Sequence, residues 1–309
     1  MAVLSPEPHG GRAGALPPRR VLLVSRDAEL DSLLARHRIA AHLGELTTVR
    51  VVSGGALPDA ALVCDDEAAT ERLLELGVPV VHLTSGHSGA VPSPAPDGRA
   101  LHRLHRPGWL PGPWPGSGGR PTGILAPARL TGNRTRAGTL LLLSSWGVPG
   151  DEFEGFTAGP LRALVRAAVR RTGRCEVVCD TRLAPVRTAV EGLAGPEGVR
   201  LSRAADVDVD ALHATAAVFL ASPTLGALAL AQARRAPVVF LPPLGPVQRD
   251  LAERVARAVP VPVTTDGEDA SSWGSRGEGP WAALDPDLDD LRGAQRVARS
   301  LRQLSLAPM

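Results

Sequence analysis

The stretch 216–250, AAVFLASPTLGALALAQARRAPVVFLPPLGPVQRD, joins two apolar runs through a helix that opens on Ser-Pro-Thr-Leu-Gly. Ala217 to Ala221 reads as a buried strand, and Ser222 is placed to cap the helix that follows. Pro223 fits the first helical position, where no N–H partner is needed. The N–H groups of Thr224, Leu225 and Gly226 are then expected to face outward at the positive end of the helix dipole, an arrangement suited to an anion. Arg234 and Arg235 complement the other end, and Pro237 stops the helix. Val238 to Leu241 forms the next strand and delivers Gly245 and Gln248 to the same sheet edge.

The rest of the chain repeats this strand-helix grammar. After Arg20 come VLLVS, the helical AELDSLLARHRIAAHLGEL, VRVVS, ALVCDD, the helical EAATERLLELG and VPVVHL. Leu30, Leu33, Leu34, His37 and Ala41 mark one apolar stripe on the first helix, and such units build a parallel sheet. Residues 88–137 are rich in Pro, Gly and Arg, which predicts a surface linker or long loop. Strands resume with LLLLSSWG at Thr139, then CEVVCD, VRLS and the opening unit. The fold class predicted is α/β, two Rossmann-like domains facing a cleft. The boundaries expected are a tail over 1–19, a first domain over 20–90, a linker over 91–137, a second domain over 138–283 and a docking helix over 284–309. That last segment begins acidic and carries Leu288, Leu291, Ala298 and Leu301 on one face.

Composition narrows the chemistry further. The chain has 309 residues, 44% of them apolar, with a net charge of +2. This balance gives no reason to expect nucleic acid or an anionic membrane as partner, and no run reaches the ~18 apolar residues of a membrane span. Every basic residue is Arg, which binds carboxylate and phosphate bidentately. Cys64, Cys175 and Cys179 match no zinc spacing, so buried thiols in a reducing cytoplasm are expected and no metal site is. An oxidoreductase needs G-x-G-x-x-G after the first strand, and VLLVSRD provides none.

The order LLLLSSWG, CEVVCD and the 216–250 unit resembles the donor half of GT-B-type glycosyltransferases. More narrowly it is similar to actinobacterial proteins related to cytosylglucuronic acid synthase, enzymes of nucleoside antibiotic biosynthesis. The resemblance implies a UDP-sugar donor as substrate rather than a cofactor, a small acceptor such as a nucleobase, and a C-terminal helix crossing back to the first domain. It places a diphosphate-contacting loop at Ser144, Ser145, Trp146 and Gly147. Ser222, Thr224, Leu225 and Gly226 correspond to the diphosphate-binding helix start, and Gly245 and Gln248 to the loop that reaches the sugar. Two departures stand beside these matches: Ala229 sits where a ribose-binding Glu is usual, with Gln232 nearby, and Ser25, Arg26 and Asp27 replace a Gly-rich loop. His87 is the candidate catalytic base, with Asp27, Asp65 and Asp66 as rivals, and Arg26 a candidate partner for a sugar carboxylate. A second reading follows from the departures: a degenerate GT-B protein that binds a nucleotide or a partner enzyme without turnover.

Overall fold

The computed structural model describes residues 19–44, 46–49, 57–87, 99–114, 119–130, 135–193, 198–265, 267, 273, 279–285 and 290–306. Residues 1–18 of the tail expected over 1–19, and Leu288 of the expected docking face, lie outside these residues.

The first domain is a parallel sheet of β1 (Arg20–Ser25), β2 (Thr47–Val49), β3 (Ala60–Cys64), β4 (Val80–Thr84), β5 (Ala100–Leu104) and β6 (Arg120–Pro121), ordered β2-β1-β3-β4-β5-β6. The central strands AALVC and VVHLT are buried throughout, the pattern of parallel strands covered on both faces. Helix α1 (Leu30–Ala40) follows β1, and α2 (Glu67–Glu75) follows β3, capped by Asp66 on the Ala69 N–H.

The second domain is a parallel sheet of β7 (Thr139–Leu143), β8 (Cys175–Cys179), β9 (Val199–Arg203), β10 (Val218–Ala221) and β11 (Val239–Phe240), ordered β11-β10-β7-β8-β9. Its helices are α3 (Gly150–Ala158), α4 (Pro160–Thr172), α5 (Leu183–Val190), α6 (Val209–Thr215), α7 (Leu225–Ala233) and α8 (Gly245–Ala258). In each sheet the strand order reverses once, between β1 and β3 and between β7 and β10. At such a reversal the outgoing chains part to opposite faces and leave a crevice at the carboxyl ends.

The final helix, α9 (Gly293–Leu306), packs Ala294, Val297, Ala298 and Leu301 onto Val21, Leu23, Ile39 and Leu62 of the first domain. The last described helix therefore packs on the domain that the first described strand opens. All three cysteines are free and buried, and burial pushes the Cys175 and Cys179 thiols up to about 12.

Two expectations need correction. The first sheet does not stop near residue 90: β5 and β6 extend it within the stretch expected as linker. Beyond β5, Trp109, Leu110, Trp114 and Ile124 are buried in the core of the second domain. Pro and Gly dominate the flanks of these short elements, so composition hides them. Nor does α1 have one apolar stripe. Leu30, Leu33 and Leu34 enter the second domain's core, while Ala35 and Ile39 enter the first's. Helix α1 is thus shared by both domains, and its polar Asp31, Ser32 and Arg38 are buried too.

Candidate functional site

The carboxyl ends of the two sheets meet across a cleft of about 300 Å³. Arg26, Asp65 and Gly86, following β1, β3 and β4, face Ser144, Pro223 and Leu244, following β7, β10 and β11. The switch-point crevices of both domains thus open into one space, and most of the residues singled out in the sequence line it.

The helix start at 222–226 is built differently from the expectation. Thr224 is the cap of α7, its Oγ1 accepting the Ala227 N–H at 3.2 Å, so the helix begins at Leu225 and Pro223 precedes it. Ser222 Oγ accepts the Ser144 N–H at 3.0 Å and ties the ends of β10 and β7 together. The Leu225 and Gly226 N–H groups, expected to await an anion, are already taken by a side chain of the protein. Asp31 from α1 of the other domain accepts them on Oδ2 and Oδ1, at 3.2 and 2.7 Å. Burial pushes the Asp31 carboxyl up to about 7, even with these N–H bonds favouring its charge. Gly226 is required by that contact rather than by a ligand: a Cβ there would lie 2.8 Å from both Asp31 Oδ1 and Leu34 Cδ1. Gly226→Ala is expected to cost about 1–3 kcal/mol of stability in urea unfolding, the usual penalty of overpacking.

The other two expected loops are filled in the same way. Asp180, just after β8, accepts the Ser145 N–H at 2.9 Å, the Ser144 and Ser145 hydroxyls at 2.8 and 2.9 Å, and the Thr181 N–H at 2.6 Å. The Ser-Ser-Trp turn is wrapped around a carboxylate of the chain itself. Glu152 Oε2 accepts the Gly245 N–H at 2.8 Å and pairs with Arg249, whose hydrogen bond holds the Glu152 carboxyl below its usual value. Gln248 is spent internally, taking the Leu244 N–H and giving its own N–H to Ser144 O. Gln232, near the expected ribose position, accepts the Trp109 indole N–H at 2.9 Å, and Ala229 is buried.

On the first-domain wall, His87 Nε2 lies 2.5 Å from Asp250 Oδ2 of α8, which also accepts from Arg254 Nε at 2.8 Å. Burial lowers the His87 pKa, against the pull of Asp250. Asp27, the other candidate base, does not line the cleft: half exposed, it accepts from Ser25 Oγ at 2.6 Å and pairs with Arg36 at 3.6 Å. Its position two residues beyond a strand end suggested a catalytic place, but the turn carries it outside. Asp65 does face the cleft, bonded to the Ser85 N–H at 2.8 Å and to its hydroxyl, and burial raises its pKa. Arg26 pairs with Glu29 at 3.1 Å and stands 5.4 Å over the Trp146 ring. Burial, then Asp65 and Asp31, push Glu29 up to about 8.

Sequence reasoning missed Asp31, Asp180, Glu152 and Glu29. Asp180 ends a strand in CEVVCD, a position that could have drawn notice. Asp31 and Glu152 sit in the first turns of helices, where an acid reads as a solvated partner of the dipole.

Residues 21–309 match the family model described as CGA synthase-related protein. No curated protein matches the sequence. Among solved structures, the chain aligns with the glycosyltransferase SnogD from Streptomyces nogalater at 16% identity and a TM-score of 0.44, over 94% of this chain and 95% of that one. A UDP-glucosyltransferase from Polygonum tinctorium aligns at 15% identity and 0.44, over 94% of each chain. The glycosyltransferase VinC, in complex with DTDP, aligns at 14% and 0.44, over 93% of this chain and 95% of that one. At these identities and scores the alignments assign no residue a role.

Proposed function

The chain belongs to the CGA synthase-related family, and from that premise we propose that it is a member that has kept the two-domain cleft and given up the diphosphate donor. Family and architecture suggest glycosyl transfer as the chemistry of such clefts. The observation that carries the narrower reading is Asp31, whose carboxylate holds both N–H groups at the start of α7 from inside the protein. A diphosphate there would meet a buried acid in place of free donors. Asp180 and Glu152 act alike at the other two loops. The protein therefore binds a small ligand, or a partner enzyme, without turning over a UDP-sugar.

A second reading is favoured by the His87–Asp250 contact. A neutral imidazole oriented by a carboxylate at the cleft wall has the form of a general base. In that case a UDP-sugar of glucuronyl type would displace Asp31, the α7 N–H groups would stabilise the leaving diphosphate, and His87 would deprotonate a nucleobase-like acceptor.

Calorimetry with UDP and UDP-glucuronic acid separates the two. No saturable heat is expected, and no UDP is released when cytosine is added. Submillimolar binding with release of UDP overturns the first reading in favour of the second. Asp31→Ala frees two N–H groups and removes the competing carboxyl, so inorganic pyrophosphate is expected to bind this variant and not the parent chain.

A further inference from the structure

We propose that the cleft is a binding site for a small organic cation with a planar, N–H-bearing charged group, gripped between the Glu29 and Asp65 carboxyls and the Trp146 ring. The proposal rests on the reading above, that no diphosphate occupies this space.

The first support is the acid content of the walls. Glu29, Asp65 and Glu67 line the cleft, and Arg26 is the one arginine among its described lining residues. Arg26 already displays the contact a ligand would make, with its guanidinium 3.1 Å from Glu29 Oε2 and 5.4 Å over the Trp146 ring. Trp146 keeps 44% of its surface exposed, which leaves area for a second planar group. A cation beside Glu29 would relieve the repulsion from Asp65 and Asp31 that helps push its carboxyl up.

The second support is independent of the acids. His82 and His87 both line the cleft, are 2% and 5% exposed, and each has an Nδ1 atom with no hydrogen-bond partner. The Nε2 of His87 faces the Asp250 carboxylate and so carries the proton, which leaves Nδ1 as a bare acceptor. A buried acceptor without a donor is costly, and the partner it lacks is an N–H. Phosphate or carboxylate ligands offer acceptors only; an amidine or amine offers donors and the matching charge.

The test is calorimetric titration of the full chain with benzamidine, its isosteric anion benzoate, and UDP. Benzamidine is expected to bind with a Kd of about 1 mM or tighter, and benzoate not at all. Glu29→Gln, which mimics the protonated acid, and Trp146→Ala are each expected to weaken benzamidine about tenfold while thermal melts stay cooperative. Equal binding of benzamidine and benzoate, or no binding of either, overturns the inference. So does binding unchanged in both variants. If UDP binds and benzamidine does not, the loss of the diphosphate site is overturned as well. If both bind, the cation site stands and only that reading falls.

Discussion

Arg38→Ala is expected to destabilise the protein by about 3–5 kcal/mol, the range for breaking a buried ion pair by removing one partner. The guanidinium is 1% exposed and is used from several sides. Its Nη2 reaches Asp210 Oδ1 at 2.8 Å, and its Nη1 donates to Leu125 O at 3.0 Å and to Gly226 O at 3.2 Å. Burial alone would raise the Asp210 carboxyl; Arg38, together with His37 and Arg234, more than offsets this, and the net shift is downward. Without Arg38, Asp210 becomes a buried charge with Arg234 among its remaining cationic neighbours. Urea unfolding measures the loss, and Arg38→Met with Asp210→Leu is expected to recover part of it, because an apolar pair of similar volume removes both charges together. A loss below about 1 kcal/mol would show that the pair is not essential to the fold.

The same residue bears on how the molecule moves. Asp31 in the first turn of α1 and Arg38 in its last turn both bond to the start of α7, and Leu30, Leu33 and Leu34 of the same helix enter the second domain's core. A hinge would have to break an ion pair, a helix cap and an apolar interface at once. The two domains are therefore expected to unfold in one transition, and the Arg38 variant is the one in which two transitions would separate.

The architecture was legible because its signals are redundant. The buried strands VLLVS, ALVC, LLLL and VFLA, each followed by a helix, admit few arrangements besides parallel sheets. Much of the cleft was legible by the same logic, since Ser144, Trp146, Gly147, Thr224, Gly245, Gln248 and His87 all end up lining it. What the cleft contains was not legible. An aspartate in the sequence looks the same whether water or two backbone N–H groups solvate it, and the decision between them lies in contacts such as Asp31 to Gly226, 195 residues apart. Local rules erred at Ser222 for a related reason. Ser222 and Thr224 are both able to cap, and the choice was made by β7, whose end claims the Ser222 hydroxyl.

The buried acids and the buried histidines together set a second large effect, on stability against pH. Burial raises Glu29 from 4.5 to about 8 and Asp31 from 3.8 to about 7, and raises Asp65 too. The folded chain then keeps protons that the unfolded chain releases, so this part of the stability is complete below pH 4 and is lost as pH rises through 7 and 8. The histidines act with opposite sign. Burial lowers His105 and His213 to about 3 and His82 to about 4, from 6.5. Here the unfolded chain takes up protons that the folded chain refuses, so their contribution is complete above 6.5 and is lost as pH falls toward 3. Between about pH 4.5 and 6.5 the two slopes oppose each other. Above 6.5 the carboxyls act alone, and below 4.5 the histidines do. Maximum stability is therefore expected in slightly acidic solution, with a drop of about 2–3 kcal/mol between pH 6.5 and 8.5, since a tenfold difference in proton affinity between folded and unfolded chains corresponds to about 1.4 kcal/mol. Thermal melts across pH 4–9 measure the profile. Glu29→Gln keeps the hydrogen-bonding shape of the protonated acid and cannot ionise, so it is expected to flatten the alkaline limb and leave the acid limb unchanged. A variant that falls as steeply as the parent chain between pH 6.5 and 8.5 would place the titrating group elsewhere.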